Sequence, residues 1–281
     1  MNSSYINVQD QFYGKAKLLR HAFDATFKNP HQAKAERFCW DYWHIPDQYT
    51  LLRTPAYQFF PKKLYEPFHR HLVRWGRENL GCHDISPTWL SCYVEGCKQE
   101  IHRDLPHGPL AFVYSLTPWT SRKFTGGETF LFDPRGQALE RNELLRTIPA
   151  KFNRLTLFDP AIPHGVTEVR GVHSPVEGRL VIHGWFVQPR PFLVGSLRPQ
   201  QVQSVLDHQL PDLLDRELAD KQVRGGFASF KLEILKSGAV KSVKPLVDTA
   251  MVSKSLKTSL QQLRFASSRG STKLTLPIQF D

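Results

Sequence analysis

The sequence predicts a mainly β fold, either a sandwich or a jelly-roll barrel, with helices before it and a small α+β module after it. Residues 88–188 consist of short apolar, β-branched and aromatic runs separated by Gly, Pro or charged turns, a texture typical of such folds. Helical periodicity is confined to the segments on either side. With 281 residues, of which 41% are hydrophobic, the chain can bury a substantial core.

Two or three helices are expected before the main sheet. Segments 12–28 and 67–81 place apolar residues at helical intervals, and the second of them ends at a glycine, Gly81. We therefore predict one domain over residues 1–190, in which helices support a β core at 88–188.

The C-terminal third is predicted to be a separate small module. Residues 191–199 are rich in proline and lack periodicity, as in a linker. In the module, 200–281, a helix near 200–219 precedes two strongly alternating segments, FASFKLEIL and LTLPIQF. The apolar faces expected on these strands are Ala228, Phe230, Leu232 and Ile234 on one, and Leu274, Leu276, Ile278 and Phe280 on the other. A hairpin turn at 236–239 and a helix within 250–263 complete the prediction.

The net charge of +11 does not indicate a nucleic-acid surface. Nucleic-acid binding would call for Lys and Arg gathered in one patch or run. Here the basic residues are scattered through both halves and mixed with Asp and Glu. We expect a solvated basic surface and no nucleic-acid partner.

The sequence shows neither a secretory signal at its N-terminus nor an apolar stretch long enough to cross a bilayer, so a cytoplasmic location without membrane attachment is expected. The four cysteines, Cys39, Cys82, Cys92 and Cys97, form no CxxC pair and no zinc-finger spacing. We expect them to be thiols that pack in the core.

The motif His102-Arg103-Asp104 allows two interpretations. In a kinase catalytic loop the Asp is followed five positions later by a magnesium-binding Asn, but that position is Pro109, and no phosphate-binding glycine loop accompanies it. In a strand, the period of two places His102 and Asp104 on one face and Arg103 on the other. The sequence favours a pair of metal ligands on a strand.

A third ligand must come from another strand, and His164, at the start of an alternating run, offers one. Two histidines and a carboxylate on one side of an octahedral metal leave three positions open, which is the arrangement of non-haem Fe(II) oxygenases. His107 and His173 are nearby histidines that share no strand face with the pair, and we expect them to be loop residues.

Arg179 begins the strand GRLVIHGWF and shares a face with Val181, His183 and Trp185. If this face lines the barrel, the buried guanidinium requires an anion, and its planar fork matches a carboxylate. The dicarboxylate 2-oxoglutarate could chelate iron at one end and pair with Arg179 at the other. A salt bridge to Glu177 or Glu168 at the strand end is the alternative.

Taken together, these motifs resemble the Fe(II)/2-oxoglutarate dioxygenases, in particular the prolyl-hydroxylase-like branch, over residues 85–190. Members of that family carry, in order, a Tyr-containing strand, an HxD motif, a GGE strand, a distal His, and an Arg six residues before a Trp. The similar features of this sequence are, in the same order, Tyr93, His102 with Asp104, the GGETFLF segment from Gly126, His164, and Arg179 with Trp185. The resemblance implies a double-stranded β-helix, the jelly roll of this family. It also implies that Tyr93 hydrogen-bonds the carboxylate of 2-oxoglutarate.

The activity implied is hydroxylation of a C–H bond, coupled to oxidative decarboxylation of 2-oxoglutarate to succinate. Fe(II), 2-oxoglutarate and O2 are the expected cofactors and co-substrates, with ascorbate as a further candidate. The substrate is a prolyl or other peptide side chain, a protein, a free amino acid or a small metabolite. His183 is a candidate for contact with 2-oxoglutarate or substrate, or else a core histidine. A cupin-like metal-binding sensor without catalysis is the rival interpretation.

The sequence departs from the family in one spacing. The Arg usually follows the distal His by nine or ten residues, whereas Arg179 follows His164 by fifteen, which leaves Arg170 as an alternative. Asp104 argues against halogenating members, which replace the carboxylate by a small residue. Trp185, where base-demethylating members carry a second Arg, argues against nucleic-acid repair.

The C-terminal segment, about 221–281, resembles the C-terminal domain of TonB-type energy transducers in its order of hairpin, helix and closing strand. Such domains bind partner proteins through a sheet edge. The resemblance implies a module that binds a protein partner or recruits the substrate, and the alternative is a structural appendage.

Overall fold

The computed structural model describes residues 5–27, 40–105, 107–132, 145–221, 223 and 225–280, and the chain divides into two compact units. One unit comprises Met1–Leu72 and Ile85–Phe186, and the other comprises Val73–Asp84 and Val187–Asp281. The domain limits given above, 1–190 and 200–281, remain a prediction.

Strands dominate the described chain as far as residue 189. These strands are β1 (Ile6–Gln9), β2 (Asp41–Ile45), β3 (Tyr49–Pro55), β4 (Cys82–Ile85), β5 (Trp89–Tyr93), β6 (Lys98–His102), β7 (Leu110–Ser115), β8 (Thr129–Phe132), β9 (Leu145–Ile148), β10 (Arg154–Phe158), β11 (His164–Val166) and β12 (Arg179–Pro189). The helices over the same stretch are α1 (Ala16–Thr26), α2 (Ala56–Phe59) and α3 (Lys62–Asn79).

One large antiparallel sheet forms the core of the first unit. Its strand order is β1-β10-β7-β12-β5-β3-β6-β11-β8-β9, and β2 pairs with β3. Leu51, Tyr93, Val166 and Val181, which come from four different strands, pack into one buried cluster, as expected when a sheet curls around its own core. The predicted mainly β, jelly-roll fold is confirmed.

The N-terminal region contains strands in addition to the helices predicted there. Helices α1 and α3 occupy the two segments expected, but three strands, β1 to β3, also precede residue 60. β1 pairs with β10, and β3 lies between β5 and β6. Pairing with strands distant in sequence stabilises β1 and β3, and pairing with β3 stabilises β2. None of the three has a strong local pattern, which is why periodicity alone missed them.

The second unit is a four-stranded antiparallel sheet with two helices. Its elements are β13 (Phe192–Gly195), α4 (Pro199–Leu218), β14 (Gly226–Ile234), β15 (Val240–Asp248), α5 (Ser253–Leu260) and β16 (Thr272–Phe280). The strand order is β13-β16-β14-β15, and the predicted apolar faces of β14 and β16 are buried, with only Phe280 at the margin. Residues 191–199, predicted as a linker, contain β13, because Phe192–Gly195 pair with β16.

None of the described helices combines the length and apolar character needed to span a membrane. Cys82, Cys92 and Cys97 are buried free thiols, as expected from their predicted packing role. Cys39 lies outside the described residues.

Candidate metal centre

The His102–Asp104 pair lies at the end of a strand rather than within one. β6 ends at His102, and Asp104 is the second residue of the following loop, so the expectation that the strand continues through Asp104 is wrong. The Asp104 amide donates a hydrogen bond of 3.0 Å to the Pro160 carbonyl, and its carbonyl accepts one from the amide of His107. These backbone contacts, instead of the strand pleat, fix the carboxylate beside His102.

His164 is brought to the pair by strand pairing. It is the first residue of β11 and lies directly opposite His102 in the antiparallel ladder. β11 packs tightly against its neighbours at Gly165, where a Cβ atom would lie 2.5 Å from both the Gln99 carbonyl oxygen and the Phe130 ring. Glycine therefore allows β11 to approach β6 closely enough for the two imidazoles to meet.

The three side chains converge on one point. Asp104 Oδ1 lies 3.4 Å from His102 Nε2, and Asp104 Oδ2 lies 3.3 Å from His164 Nε2. The two imidazole centroids are 4.3 Å apart, and one ligand atom from each residue falls within 4.8 Å of the others. The ligands inferred from the sequence thus meet in space.

The hydrogen bonds of the imidazoles orient them as metal ligands. His102 Nδ1 is 2.9 Å from the Glu100 carbonyl oxygen, and His164 Nδ1 is 2.8 Å from the Ile162 carbonyl oxygen. Each carbonyl can only accept, so Nδ1 carries the proton and donates. Both Nε2 lone pairs and the carboxylate oxygens then face one another, and such a cluster of acceptors requires a cation.

The electrostatics keep the carboxylate ionised. Burial acts to raise the pKa of Asp104, but the hydrogen bonds and positive charge that His102 and His164 supply in their protonated forms outweigh it and hold this pKa well below its ordinary value. For His102, burial acts to lower the pKa, but Asp104 and the Glu100 carbonyl raise it above the usual value. Asp104 is thus in the anionic form that a metal ligand needs at neutral pH.

Arg179 is a buried cation with free hydrogen-bonding capacity. Its side chain is 1% exposed and belongs to the first residue of β12, directly opposite Tyr93. Nη2 donates to Thr129 Oγ1 at 3.1 Å, while Nε and Nη1 are buried without a hydrogen-bond partner. Burial lowers the pKa of Arg179, but a guanidinium keeps its charge. The two orphaned nitrogens call for an anion.

The two carboxylates considered as salt-bridge partners of Arg179 form ion pairs with other residues. Glu177 pairs with Lys123 at 2.6 Å, and Glu168 pairs with Arg170 at 3.1 Å. Within the described part of the chain, no carboxylate lies at ion-pair distance from Arg179. Arg170 is exposed and does not line the cavity described below. The placement supports Arg179, not Arg170, as the anion-binding residue.

Tyr93 and His183 also lie near this cluster. The Tyr93 hydroxyl donates to Gln99 Oε1 at 3.3 Å, and Gln99 Nε2 lies 3.2 Å from His102 Nε2. His183 Nε2 is 2.9 Å from Ser91 Oγ. Burial lowers the pKa of His183 to about 4, so its imidazole is neutral at physiological pH. His183 is therefore a neutral residue beside the cluster, and Ser91 is its hydrogen-bond partner.

A cavity of about 490 Å³ joins these groups. Its walls include all six residues selected from the sequence, namely Tyr93, His102, Asp104, His164, Arg179 and His183. His107 also lines the cavity, with its ring centroid 4.5 Å from that of Trp185, whereas the exposed His173 does not. The volume is typical of pockets that hold small organic molecules.

Sequence reasoning missed several polar residues of the cavity, among them Arg53, Gln99 and Thr129. Arg53 is a charged residue inside the apolar strand TLLRT, and the argument used for Arg179 could have identified it. Thr129 follows the glycine pair of GGET, and Gly127 lies at φ +77° with its Cβ position 3.3 Å from Arg179 Cδ. In the sequence, a glycine that leaves room for the Arg179 side chain indicates the position of Thr129 less strongly than a charge inside an apolar strand indicates Arg53.

The residues fit the ligands that the fold class implies. Imidazole and carboxylate donors suit Fe(II), and a cluster of three leaves room for further ligands. The two orphaned nitrogens of Arg179 fit the far carboxylate of a dicarboxylate that chelates the metal. A jelly roll with two histidines and one carboxylate facing its cavity has the features of a non-haem iron oxygenase site.

Comparison with known proteins agrees with this class. Residues 88–187 match the family model described as the 2OG-Fe(II) oxygenase superfamily. No curated protein is significantly similar in sequence. The matched segment contains all the residues of the site named above except Arg53.

Solved structures similar in fold include two prolyl hydroxylases and an epimerase. A Pseudomonas putida prolyl-4-hydroxylase is 16% identical, covers 66% of this chain and 94% of its own, and gives a TM-score of 0.44. The viral collagen prolyl hydroxylase of Paramecium Bursaria Chlorella virus-1 is 14% identical, with coverages of 65% and 96% and a TM-score of 0.40. The non-heme alpha ketoglutarate dependent epimerase SnoN from nogalamycin biosynthesis is 13% identical, with coverages of 64% and 75% and a TM-score of 0.41.

The resemblance to Fe(II)/2-oxoglutarate oxygenases that the motifs indicated is thereby confirmed. The resemblance of the C-terminal segment to TonB remains a prediction.

Proposed function

We propose that the protein is an Fe(II)- and 2-oxoglutarate-dependent hydroxylase. The observation that carries the proposal is the position of Arg179, a buried guanidinium with two unpartnered nitrogens, in the same cavity as the His102, Asp104 and His164 cluster. One group of residues accounts for a metal, and the other accounts for the anionic end of the co-substrate. The family match supports an oxygenase that uses 2-oxoglutarate.

Each residue has a distinct task in this proposal. His102, Asp104 and His164 would hold Fe(II) through the lone pairs that now face one another. Arg179 would bind the far carboxylate of 2-oxoglutarate with Nε and Nη1, while Thr129 keeps Nη2 in place. Tyr93 can direct its hydroxyl to the co-substrate in place of Gln99.

The bound iron supplies the oxidative chemistry, in which 2-oxoglutarate and O2 give succinate, CO2 and a hydroxylated substrate. The protein positions the metal and the co-substrate and keeps water away from them. Phe158, Val181 and Trp185 form apolar parts of the cavity wall, which shields the site from bulk solvent. The neutral His183, held by Ser91, adds a polar contact without adding charge.

The substrates that we propose are a prolyl or other peptide side chain, a free amino acid or another small metabolite. A cavity of this size accepts the co-substrate together with one side chain or a small molecule.

Succinate release under air, with Fe(II) and 2-oxoglutarate, tests the proposal. We expect slow uncoupled release without substrate, acceleration by the true substrate, and loss of both in Asp104→Ala. A protein that binds Fe(II) and 2-oxoglutarate but releases no succinate would instead be a cupin-like sensor. Lys151→Ala, an exposed cation outside the cavity, serves as the matched control.

For the second unit we propose a role in binding a protein partner or recruiting the substrate. The edge strand β15 carries Lys241, Lys244 and Pro245, which discourage addition of a strand there. The other edge, β13, has neither Lys nor Pro within it and exposes Val194. β13 is therefore the edge that we assign to the partner.

A point substitution tests this role better than a truncation. Thr275 of β16 donates a hydrogen bond to the Glu78 carbonyl, and Val73–Asp84 belong to the same unit, so removing 200–281 would also disturb those residues. Val194→Lys should lower turnover of a protein substrate but not of a short substrate. If Val194→Lys leaves the turnover of both substrates unchanged, the second unit is a structural appendage.

A further inference from the structure

A second guanidinium in the cavity has no partner, and its surroundings indicate what it binds. Arg53 lies on β3, directly opposite Ser91 of β5, and Ser91 lies opposite Val181 of β12. Because cross-strand partners share a face, Arg53 is on the cavity face together with Val181. Arg53 lines the same cavity as the metal cluster and Arg179.

Two indole rings hold the Arg53 guanidinium in place. Its Cζ atom lies 3.3 Å from the ring centroid of Trp43 and 4.4 Å from that of Trp89. The two indole planes are inclined by 67° to each other, so the guanidinium lies against two rings of different orientation and is not stacked face to face on both. Neither ring offers an acceptor for its N–H groups. The rings thus orient Arg53 without satisfying its donors.

The donors of Arg53 are not neutralised within the protein. Nε is buried without a hydrogen-bond partner. Asp41, its cross-strand neighbour on β2, acts on Arg53 electrostatically, but no carboxylate among the described residues comes within ion-pair distance. A partly buried cation with an orphaned donor is costly unless an anion completes it.

Three arginines line the cavity, and Arg53 and Arg179 are the two that are not fully exposed to solvent, Arg103 being exposed. Arg179 is fully buried beside Thr129 and Tyr93, and the proposed function assigns it to 2-oxoglutarate. Arg53 is only half-buried and stands on a different strand. Both lie close enough to His183 to act on it electrostatically, together with Asp104 and His102. Arg53 therefore remains without an assigned anion when Arg179 binds 2-oxoglutarate.

We propose that Arg53 binds a carboxylate of the primary substrate, so that the enzyme acts on a carboxylate-bearing small molecule or on an acidic residue or free C-terminus of a peptide. This inference rests on the proposed function, because it takes Arg179 as already occupied by 2-oxoglutarate. A planar carboxylate matches the fork of N–H donors of a guanidinium in bidentate geometry, and the Nε atom of Arg53 is unpartnered.

The test uses acetate as the probe, with acetamide as its neutral analogue and inorganic phosphate as the tetrahedral anion. The full chain is loaded anaerobically with Fe(II) and saturating 2-oxoglutarate, and tryptophan fluorescence is titrated at constant ionic strength. Acetate should give a saturable change, because Trp43 and Trp89 contact Arg53. Acetamide should give none, and phosphate should bind more weakly than acetate.

Substitutions connect the response to Arg53. Arg53→Gln should weaken acetate binding by about tenfold or more, the usual worth of a hydrogen bond to a charged group. Arg53→Lys keeps the charge but not the forked geometry of the guanidinium. The affinity of this variant for acetate should therefore lie between those of the unsubstituted protein and of Arg53→Gln. Arg170→Gln, an exposed cation outside the cavity, is the matched control and should bind acetate normally.

The charge-transfer band of the Fe(II)–2-oxoglutarate complex is recorded in every sample. A normal band with no acetate response, or with an equal response in Arg53→Gln or to acetamide, would overturn this inference alone. Phosphate binding more tightly than acetate would overturn the choice of a carboxylate. Absence of the band from the unsubstituted protein would refute the proposed function itself.

Discussion

At the residue scale, the candidate site depends on groups whose hydrogen-bonding capacity the protein leaves unfilled. The Nδ1 atoms of His102 and His164 donate to backbone carbonyls, so their Nε2 atoms face Asp104 as acceptors. Arg179 presents two donors to the cavity without an acceptor. Acceptors that require a cation and donors that require an anion are thus placed in one enclosed space.

Replacing Arg179 should affect one end of the co-substrate only. In Arg179→Gln, the affinity for 2-oxoglutarate should fall by roughly 10- to 100-fold, because charge-assisted hydrogen bonds are lost. The affinity for 2-oxopentanoate, which keeps the keto-acid end but lacks the far carboxylate, should stay within about twofold of its unsubstituted value. Anaerobic titrations of both compounds measure this.

The result identifies which arginine binds the co-substrate. Arg170→Gln should leave both affinities unchanged, because Arg170 is exposed and paired with Glu168. A loss of 2-oxoglutarate affinity in Arg170→Gln but not in Arg179→Gln would reverse the assignment.

His183 should make the metal-free protein sensitive to acid. Burial is the main cause that lowers its pKa from 6.5 to about 4; Arg53, Arg179 and His102 lower it further, and Asp104 opposes them. The unfolded chain therefore binds a proton between these values that the folded protein does not. The free energy of unfolding should fall as pH drops from about 6.5 to about 4.

The comparison with His183→Gln isolates this contribution. Urea denaturation of the metal-free protein at several pH values should show a shallower fall over that interval in the variant than in the original protein. Identical pH profiles would mean that His183 is solvated or already charged in the folded protein.

At the scale of elements, strand pairing rather than local sequence brings the ligands together. The alternation of residues predicted many of the strands, and the motif identified His102 and His164 as candidates. Local periodicity did not reveal that β6 ends at His102, because contacts of the Asp104 backbone with Pro160 and His107 determine that end. Nor did it reveal β3, whose partners are distant in sequence and which places Arg53 in the cavity.

Gly165→Ala should disturb the centre without changing a ligand. The added methyl group would meet the Gln99 carbonyl and the Phe130 ring at 2.5 Å, so β11 must move away from its neighbours and take His164 with it. We expect a loss of about 1–3 kcal/mol in the free energy of unfolding. Metal affinity should fall by roughly tenfold or more, as when the support of a ligand is removed.

Urea denaturation and a metal titration measure the two effects. Gly14→Ala is the control, because its Cβ would meet no atom within 4 Å, and its stability should change by less than about 0.5 kcal/mol. Full metal affinity in Gly165→Ala would show that the spacing of β11 does not position His164.

At the scale of the whole molecule, the chain combines a jelly roll that holds the candidate site with a second, smaller sheet unit. The apolar faces of both sheets could be predicted from the alternation of residues, as the buried residues of β14 and β16 show. The strand β13 could not, because Phe192–Gly195 has no pattern of its own and depends on pairing with β16.

Ligands that bind only the folded protein should stabilise the first unit. Mn(II), a redox-stable substitute for Fe(II), together with 2-oxoglutarate should raise the free energy of unfolding by about 2.7 kcal/mol at a hundredfold excess over the dissociation constant. Urea denaturation of the full chain measures the gain, which Asp104→Ala should abolish. An equal gain in that variant would place the ligands elsewhere.

The most direct measurement is the visible spectrum of the protein loaded anaerobically with Fe(II) and 2-oxoglutarate. If His102, Asp104 and His164 hold the iron while 2-oxoglutarate chelates it, a metal-to-ligand charge-transfer band appears on addition of the second component. The band should be lost in His102→Ala and retained in Arg170→Gln. A protein that shows no band, or a band unaffected by His102→Ala, would contradict the assignment of this cluster as the iron site.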